Sequence, residues 1–200
     1  MALQLQNPTT LLLAGSSGSG KTSWVFRLID QIDEIFVSKI ERIHYFYKVW
    51  QPKFDDYVEK IHFHEGLPDK DLLHQSKNCL LILDDLMHEN LNIITQIFTV
   101  YSHHCGFSAL FLAQNIFHKN IREISLNAHI VVLFKNSRDI GQIKTFLRQA
   151  FPEKPQVLQA YKSSTTQPYG YLLLDFRVTT PENERIRTNV FTDEINYIYQ

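Results

Sequence analysis

Cysteine is almost absent: the chain has two, Cys79 and Cys105. Two thiols cannot build a disulfide framework, and such sparing use fits a reducing compartment. Cys79 opens an apolar run and reads as a packing residue. Glycine and proline are also scarce, at seven each, and no repeat, low-complexity stretch or linker is visible. Neither charge is in excess, with 20 Lys and Arg against 21 Asp and Glu. A globally basic nucleic-acid binder is therefore excluded. Any grip on DNA must come from basic residues gathered on one face, or on one ring surface after assembly. No apolar run approaches the ~20 residues of a membrane span, so no membrane insertion is expected. Met1 to Asn7 lacks a basic segment followed by an apolar one, so no signal peptide is expected.

What the chain does have is alternation. Its 200 residues suffice for one domain with a substantial core and not for two comfortable ones. The expectation is a single domain over 1–200, with a core of about 9–176 and a polar, partly irregular tail over 177–200. Short apolar runs predict strands at Thr10–Gly15, Arg42–Lys48, Cys79–Leu83, Ser108–Asn115, His129–Phe134 and Tyr171–Phe176. Helical spacing marks Lys21–Phe36, with Trp24, Leu28, Ile29, Ile32 and Ile35 on one face, and also Leu91–His104 and Asp139–Ala150. Shorter helices are expected at Pro52–Lys60, after a cap at Asp69, and at Pro155–Lys162, with His62–Pro68 as a connecting segment. Strand–helix alternation implies an α/β fold, with a mainly parallel sheet and helices on both faces.

Residues 15–22 read GSSGSGKT, the pattern G-x-x-x-x-G-K-[ST]. Such a loop wraps a phosphate chain, and glycine is required where a side chain would clash or forbid the backbone angles. Its amides and the helix start behind it direct partial positive charge at the phosphates. All eight residues, Gly15, Ser16, Ser17, Gly18, Ser19, Gly20, Lys21 and Thr22, are assigned to ATP binding. Lys21 reaches the β- and γ-phosphates, and Thr22 offers a hydroxyl to Mg2+. A flexible Gly/Ser loop matching by accident is the competing explanation. The apolar strand before the loop and the helical pattern after it are what the mechanism requires.

The run LLILDD ends a strand in two carboxylates, Asp84 and Asp85. Carboxylates at the C-terminal end of a strand lie on the ligand side of an open α/β sheet. Asp84 is assigned to Mg2+, and Asp85 to orienting or deprotonating an attacking water. Asp85 is one methylene shorter than the Glu more common in that role. SALFLAQN ends in Gln114 and Asn115, and Gln114 is placed to sense the γ-phosphate and position water. That assignment gains if this strand lies between the P-loop strand and the acidic strand, the order of P-loop ATPases that drive motors. In P-loop kinases the acidic strand is instead the direct neighbour of the P-loop strand.

The blocks LLLAGSSGSGKT, HEGLP (His64–Pro68), LLILDDLM, LFLAQNIF, REISLNAHIVVLFKNSRD and QAYKSSTTQPYGYLLLDF together resemble the FtsK–HerA superfamily of DNA-pumping ATPases. Within it, the chain is most similar to genome-packaging ATPases of poxvirus-like large DNA viruses, especially adintoviruses and Polinton (Maverick) elements. The resemblance spans about residues 9–192. It implies a P-loop sandwich of the additional-strand type and a Mg2+-dependent ATPase. It also implies a homo-oligomeric ring, hexameric by analogy, that threads double-stranded DNA into a capsid. The partners implied are DNA and a capsid or portal-vertex protein. The place implied is inside the host cell, in cytoplasm or nucleus, at virus assembly sites or with the virion.

In such rings a neighbour's arginine completes each ATP site. Arg122 and Arg138 fall in matching blocks, with Arg138 favoured and Arg148 a weaker third. Lys119, Arg122, Lys135 and Lys144 are available to DNA. Two rival functions stay open. A P-loop kinase would consume ATP only with its acceptor, though no Arg-rich lid is apparent. A non-catalytic scaffold would bind ATP without turnover. The H-x-H of His62 and His64, and His103-His104-Cys105, lack the further ligands of a zinc site. Tyr45, Phe46, Tyr47 and Trp50 fit strand packing better than base stacking.

Overall fold

The computed structural model describes residues 3–117 and 121–200, so Lys119 lies outside the described residues. The strand carrying the first apolar run, β1 (Thr10–Ala14), is buried at all five positions. Such a run is too apolar for a half-solvated strand, and it sits at the centre of the sheet with a partner on each side. The remaining strands are β2 (Arg42–Tyr47), β3 (His62–Glu65), β4 (Cys79–Asp84), β5 (Ser108–Ala113), β6 (Ile130–Phe134), β7 (Tyr171–Asp175), β8 (Ile186–Thr188) and β9 (Tyr197–Ile198). They form one sheet in the order β3-β2-β4-β5-β1-β6-β7-β8-β9. Every pairing from β3 through β6 is parallel, and the last three are antiparallel. The expected α/β class and mainly parallel sheet are thus observed.

Alternate strand residues feed two opposite layers. Leu11 and Leu13 join one apolar cluster with α1 (Lys21–Asp30), α2 (Ile32–Ile35) and Phe191. Leu12 and Ala14 join the other cluster. That side is built from α3 (Lys70–His74), α4 (Leu91–Gln96), α6 (Ile121–Asn127), α7 (Ile140–Ala150) and α8 (Val157–Ser164). A π-helical stretch, Ile97–Tyr101, runs on from α4 into α5 (Ser102–Cys105).

Three segments differ from expectation. The predicted helix over 21–36 breaks at Gln31, whose φ of −107° and ψ of 24° leave the helical region. Pro52–Tyr57 is a 3-10 turn shorter than the helix expected there. His62–Glu65, read as a connecting segment, is β3, parallel to β2 at the sheet edge. A strand paired on one side and only partly covered carries no apolar run, which hid it. The tail also contributes β8, whose Ile186, Arg187 and Thr188 are all buried, and β9, whose two residues are exposed. Among the described residues, no helix is long and apolar enough to cross a membrane.

Candidate nucleotide site

The loop between β1 and α1 is shaped by two left-handed glycines, Gly18 (φ 74°) and Gly20 (φ 101°). A β-carbon at Gly20 would be strained and would stand 3.1 Å from the Tyr169 ring. The Ser19 hydroxyl is buried and has no hydrogen-bond partner among the described residues. A buried, unpaired hydroxyl is costly unless a ligand satisfies it. Lys21 folds back over the loop, donating from Nζ to the carbonyls of Gly15 (2.6 Å) and Ser16 (3.0 Å). Burial lowers its pKa, while the charges of Asp84 and Asp85 pull the other way.

The acidic residues sit at the end of β4, facing this loop. Asp84 is 7% exposed, and burial pushes its carboxyl above the ordinary range. The Tyr45 hydroxyl opposes that shift by donating to Asp84 Oδ2 at 2.6 Å. Tyr45 comes from β2, the immediate neighbour of β4. One oxygen of Asp84 is therefore held, and the carboxylate is oriented. Asp85 adopts φ 55°, a left-handed turn that ends the strand and leaves its carboxylate exposed. Gln114 Nε2 donates to Asp85 Oδ1 at 3.0 Å. The base candidate and the sensor candidate are thus already in contact.

These groups converge on one cavity of about 410 Å³. Ser17 through Thr22 line it from the loop, and Asp84, Asp85 and Gln114 line it from the strand ends. Gln51 and Tyr169, which sequence reading did not single out, complete the wall. A polar cavity joining a glycine-shaped amide cradle, a desolvated lysine, a threonine hydroxyl and two carboxylates fits a magnesium–triphosphate. Thr22 and Asp84 are the residues that would hold the ion.

The arginines lie elsewhere. Arg122 on α6, Arg138 before α7 and Arg148 on α7 are exposed, and none lines this cavity. None forms an ion pair among the described residues. The Arg138 segment is tied to the strand ends through Asn115, whose Nδ2 donates to Asp139 Oδ2 at 3.0 Å. Of the basic residues considered for DNA, Lys144 is exposed, and Lys135 donates to the Thr166 carbonyl at 2.9 Å.

No protein-family model matches the chain, and no curated protein matches it in sequence. Solved structures do. The genome packaging NTPase B204 from Sulfolobus turreted icosahedral virus 2, in complex with ATP-gammaS, is similar with a TM-score of 0.57 at 15% identity. That match covers 90% of this chain and 96% of that one. The DNA-packaging ATPase B204 from Sulfolobus turreted icosahedral virus is similar with a TM-score of 0.56 at 11% identity. There the match covers 97% of this chain and 98% of the other. The chain has the P-loop NTPase fold. At these identities the likeness establishes the architecture and not the activity.

Tyr45, Gln51 and Tyr169 are site residues that sequence reading missed. Tyr45 looked like one more aromatic of a packed strand, and only the β2–β4 pairing shows what its hydroxyl meets. Tyr169 had a local mark in Q-P-Y-G, a turn immediately before a strand.

Proposed function

We propose that the chain is an ATP-driven translocase of double-stranded DNA that packages a viral or virus-like genome into a capsid. The observation that carries this reading is β5, which lies between the P-loop strand and the acidic strand and ends in Gln114 against Asp85. A kinase arrangement, with the acidic strand directly beside β1, is not what the sheet has. The overall likeness to B204 and the matching sequence blocks supply the DNA-packaging part.

In this reading Lys21 leaves the Gly15 and Ser16 carbonyls for the β- and γ-phosphate oxygens. The loop amides and the Ser19 hydroxyl take the remaining phosphate contacts. Mg2+, when bound by Thr22 and Asp84, neutralises phosphate charge. Asp85 accepts a proton from the attacking water as its oxygen bonds to the γ-phosphorus, and the bond to the β–γ bridging oxygen breaks to release ADP. Gln114 holds Asp85 and the water in line. An arginine from a neighbouring subunit in a ring, Arg138 or Arg122, stabilises the charge that develops on the transferring group.

The test is steady-state ATP hydrolysis with and without linear double-stranded DNA, over a range of protein concentrations. Stimulation by DNA that rises steeply with protein concentration is expected of an assembling motor. Turnover indifferent to both would overturn the translocase reading. Lys21→Ala is expected to abolish hydrolysis, and normal turnover in that variant would overturn the site itself.

A further inference from the structure

A second cavity of about 710 Å³ adjoins the phosphate cavity, and the two share Gly20, Ser23 and Tyr169. Its volume lies within the ~300–1,000 Å³ typical of small-molecule sites. Its chemistry differs from that of its neighbour. Trp24, Phe134, Tyr171 and Phe191 provide buried aromatic walls, while Tyr169 and Tyr197 are 68% and 52% exposed.

Tyr169 is held there by its backbone. It adopts φ 62°, a conformation rare for a non-glycine residue and concentrated at ligand sites. The following Gly170 cannot yield, because a β-carbon on it would stand 2.3 Å from the Ser164 carbonyl oxygen. Its own N–H donates to Gln167 O at 3.2 Å, and its carbonyl accepts from Lys135 N at 3.1 Å. The turn therefore fixes an exposed aromatic ring against Gly20, at the end of the phosphate loop. Packing gains little from a ring so exposed.

The direction of the nucleotide follows from the first cavity. Asp85 and Gln114 mark its γ-phosphate end. The nucleoside must leave by the other end, past Ser23 and Tyr169, where the aromatic cavity begins. We propose that this cavity takes the purine base and ribose of the bound nucleotide, with the Tyr169 ring as the stacking platform. The proposal rests on the reading that the P-loop holds a triphosphate. It also gives the tail a role, because Phe191 and Tyr197 come from it. The tail is clamped to α1 by Arg27, which pairs with Asp193 and Glu194 and lies 4.4 Å above the Phe191 ring.

Calorimetric titration of the full chain with ATP, CTP and inorganic tripolyphosphate, each with Mg2+, tests this. The wild type is expected to bind ATP more tightly than CTP, and both more tightly than tripolyphosphate. Tyr169→Ala should weaken ATP by roughly tenfold or more, the scale of one lost base stack, and leave tripolyphosphate unchanged. Tyr169→Phe should retain ATP affinity. Unchanged ATP affinity in Tyr169→Ala would overturn the proposal. So would an equal loss for ATP and tripolyphosphate, which would show that the ring only braces Gly20. If the wild type binds tripolyphosphate as tightly as ATP, the base assignment falls and the phosphate site stands. If it binds neither, the phosphate site falls and the base assignment falls with it.

Discussion

Tyr45 shows how much a single hydroxyl decides in this site. Its hydrogen bond to Asp84 is the main force opposing the effect of burial on that carboxyl. Removing a donor from a buried, charged acceptor costs about 1.5–3 kcal/mol. Tyr45→Phe keeps the ring stacked on Phe26, where the planes lie 9° apart, and removes only the hydroxyl. The expected result is a fold weakened by about that amount in urea denaturation, with a raised Asp84 pKa and a weaker Mg2+ dependence of ATP binding. Unchanged stability and unchanged Mg2+ dependence would show that the hydroxyl is a bystander. Lys21, Thr22 and Asp84 were legible as candidates because their pattern is written in contiguous residues, and the fold brings all three to one cavity. Tyr45 acts on a residue 39 positions away, and no local pattern records that.

At the scale of elements, the β2–β3 edge carries three imidazoles. His44 pairs in register with His62, and its Nδ1 lies 3.0 Å from His64 Nε2. Burial, then the charges of His64, His62 and Arg42, push the His44 pKa down to about 4. The ring is therefore neutral in the fold at neutral pH. Between about 6.5, the ordinary histidine value, and about 4, the unfolded chain binds a proton that the folded chain refuses. Stability should fall as pH drops through that window. Urea midpoints at pH 7.5 and pH 5 should differ more for the wild type than for His44→Gln, and equal differences would remove His44 as the cause. The H-x-H spacing of His62 and His64 was visible in the sequence. That β3 exists, and that His44 sits beside both rings, depended on a strand pairing that polar residues did not advertise.

At the scale of the whole molecule, the arginines bear on the proposed ring. Arg122 and Arg138 are exposed and do not line the phosphate cavity of their own chain, so on the proposed reading either one is available to a neighbour's site. In assembled protein, replacing the true finger by Ala should lower hydrolysis by ~10³-fold or more and leave ATP binding intact. On the proposed ring reading, mixing that variant with Lys21→Ala should restore part of the activity, one subunit supplying the P-loop and the other the arginine. If neither Arg122→Ala nor Arg138→Ala behaves this way, another residue completes the site. The hydrogen bond from Asn115 to Asp139 joins the strand end that bears Gln114 to the segment that bears Arg138.

By itself the sequence determined the phosphate loop, the acidic strand end, the amide strand end and five of the six strands in the parallel part of the sheet. Each of these is written in contiguous residues, as glycine spacing, an apolar run or a polar terminus. The tertiary structure alone decided the strand order that puts Gln114 against Asp85, the hydroxyl that orients Asp84 and the tail that walls the aromatic cavity with Phe191 and Tyr197. Those are long-range pairings, set by which apolar faces bury against one another, and a linear pattern holds no record of them until the chain has closed on itself.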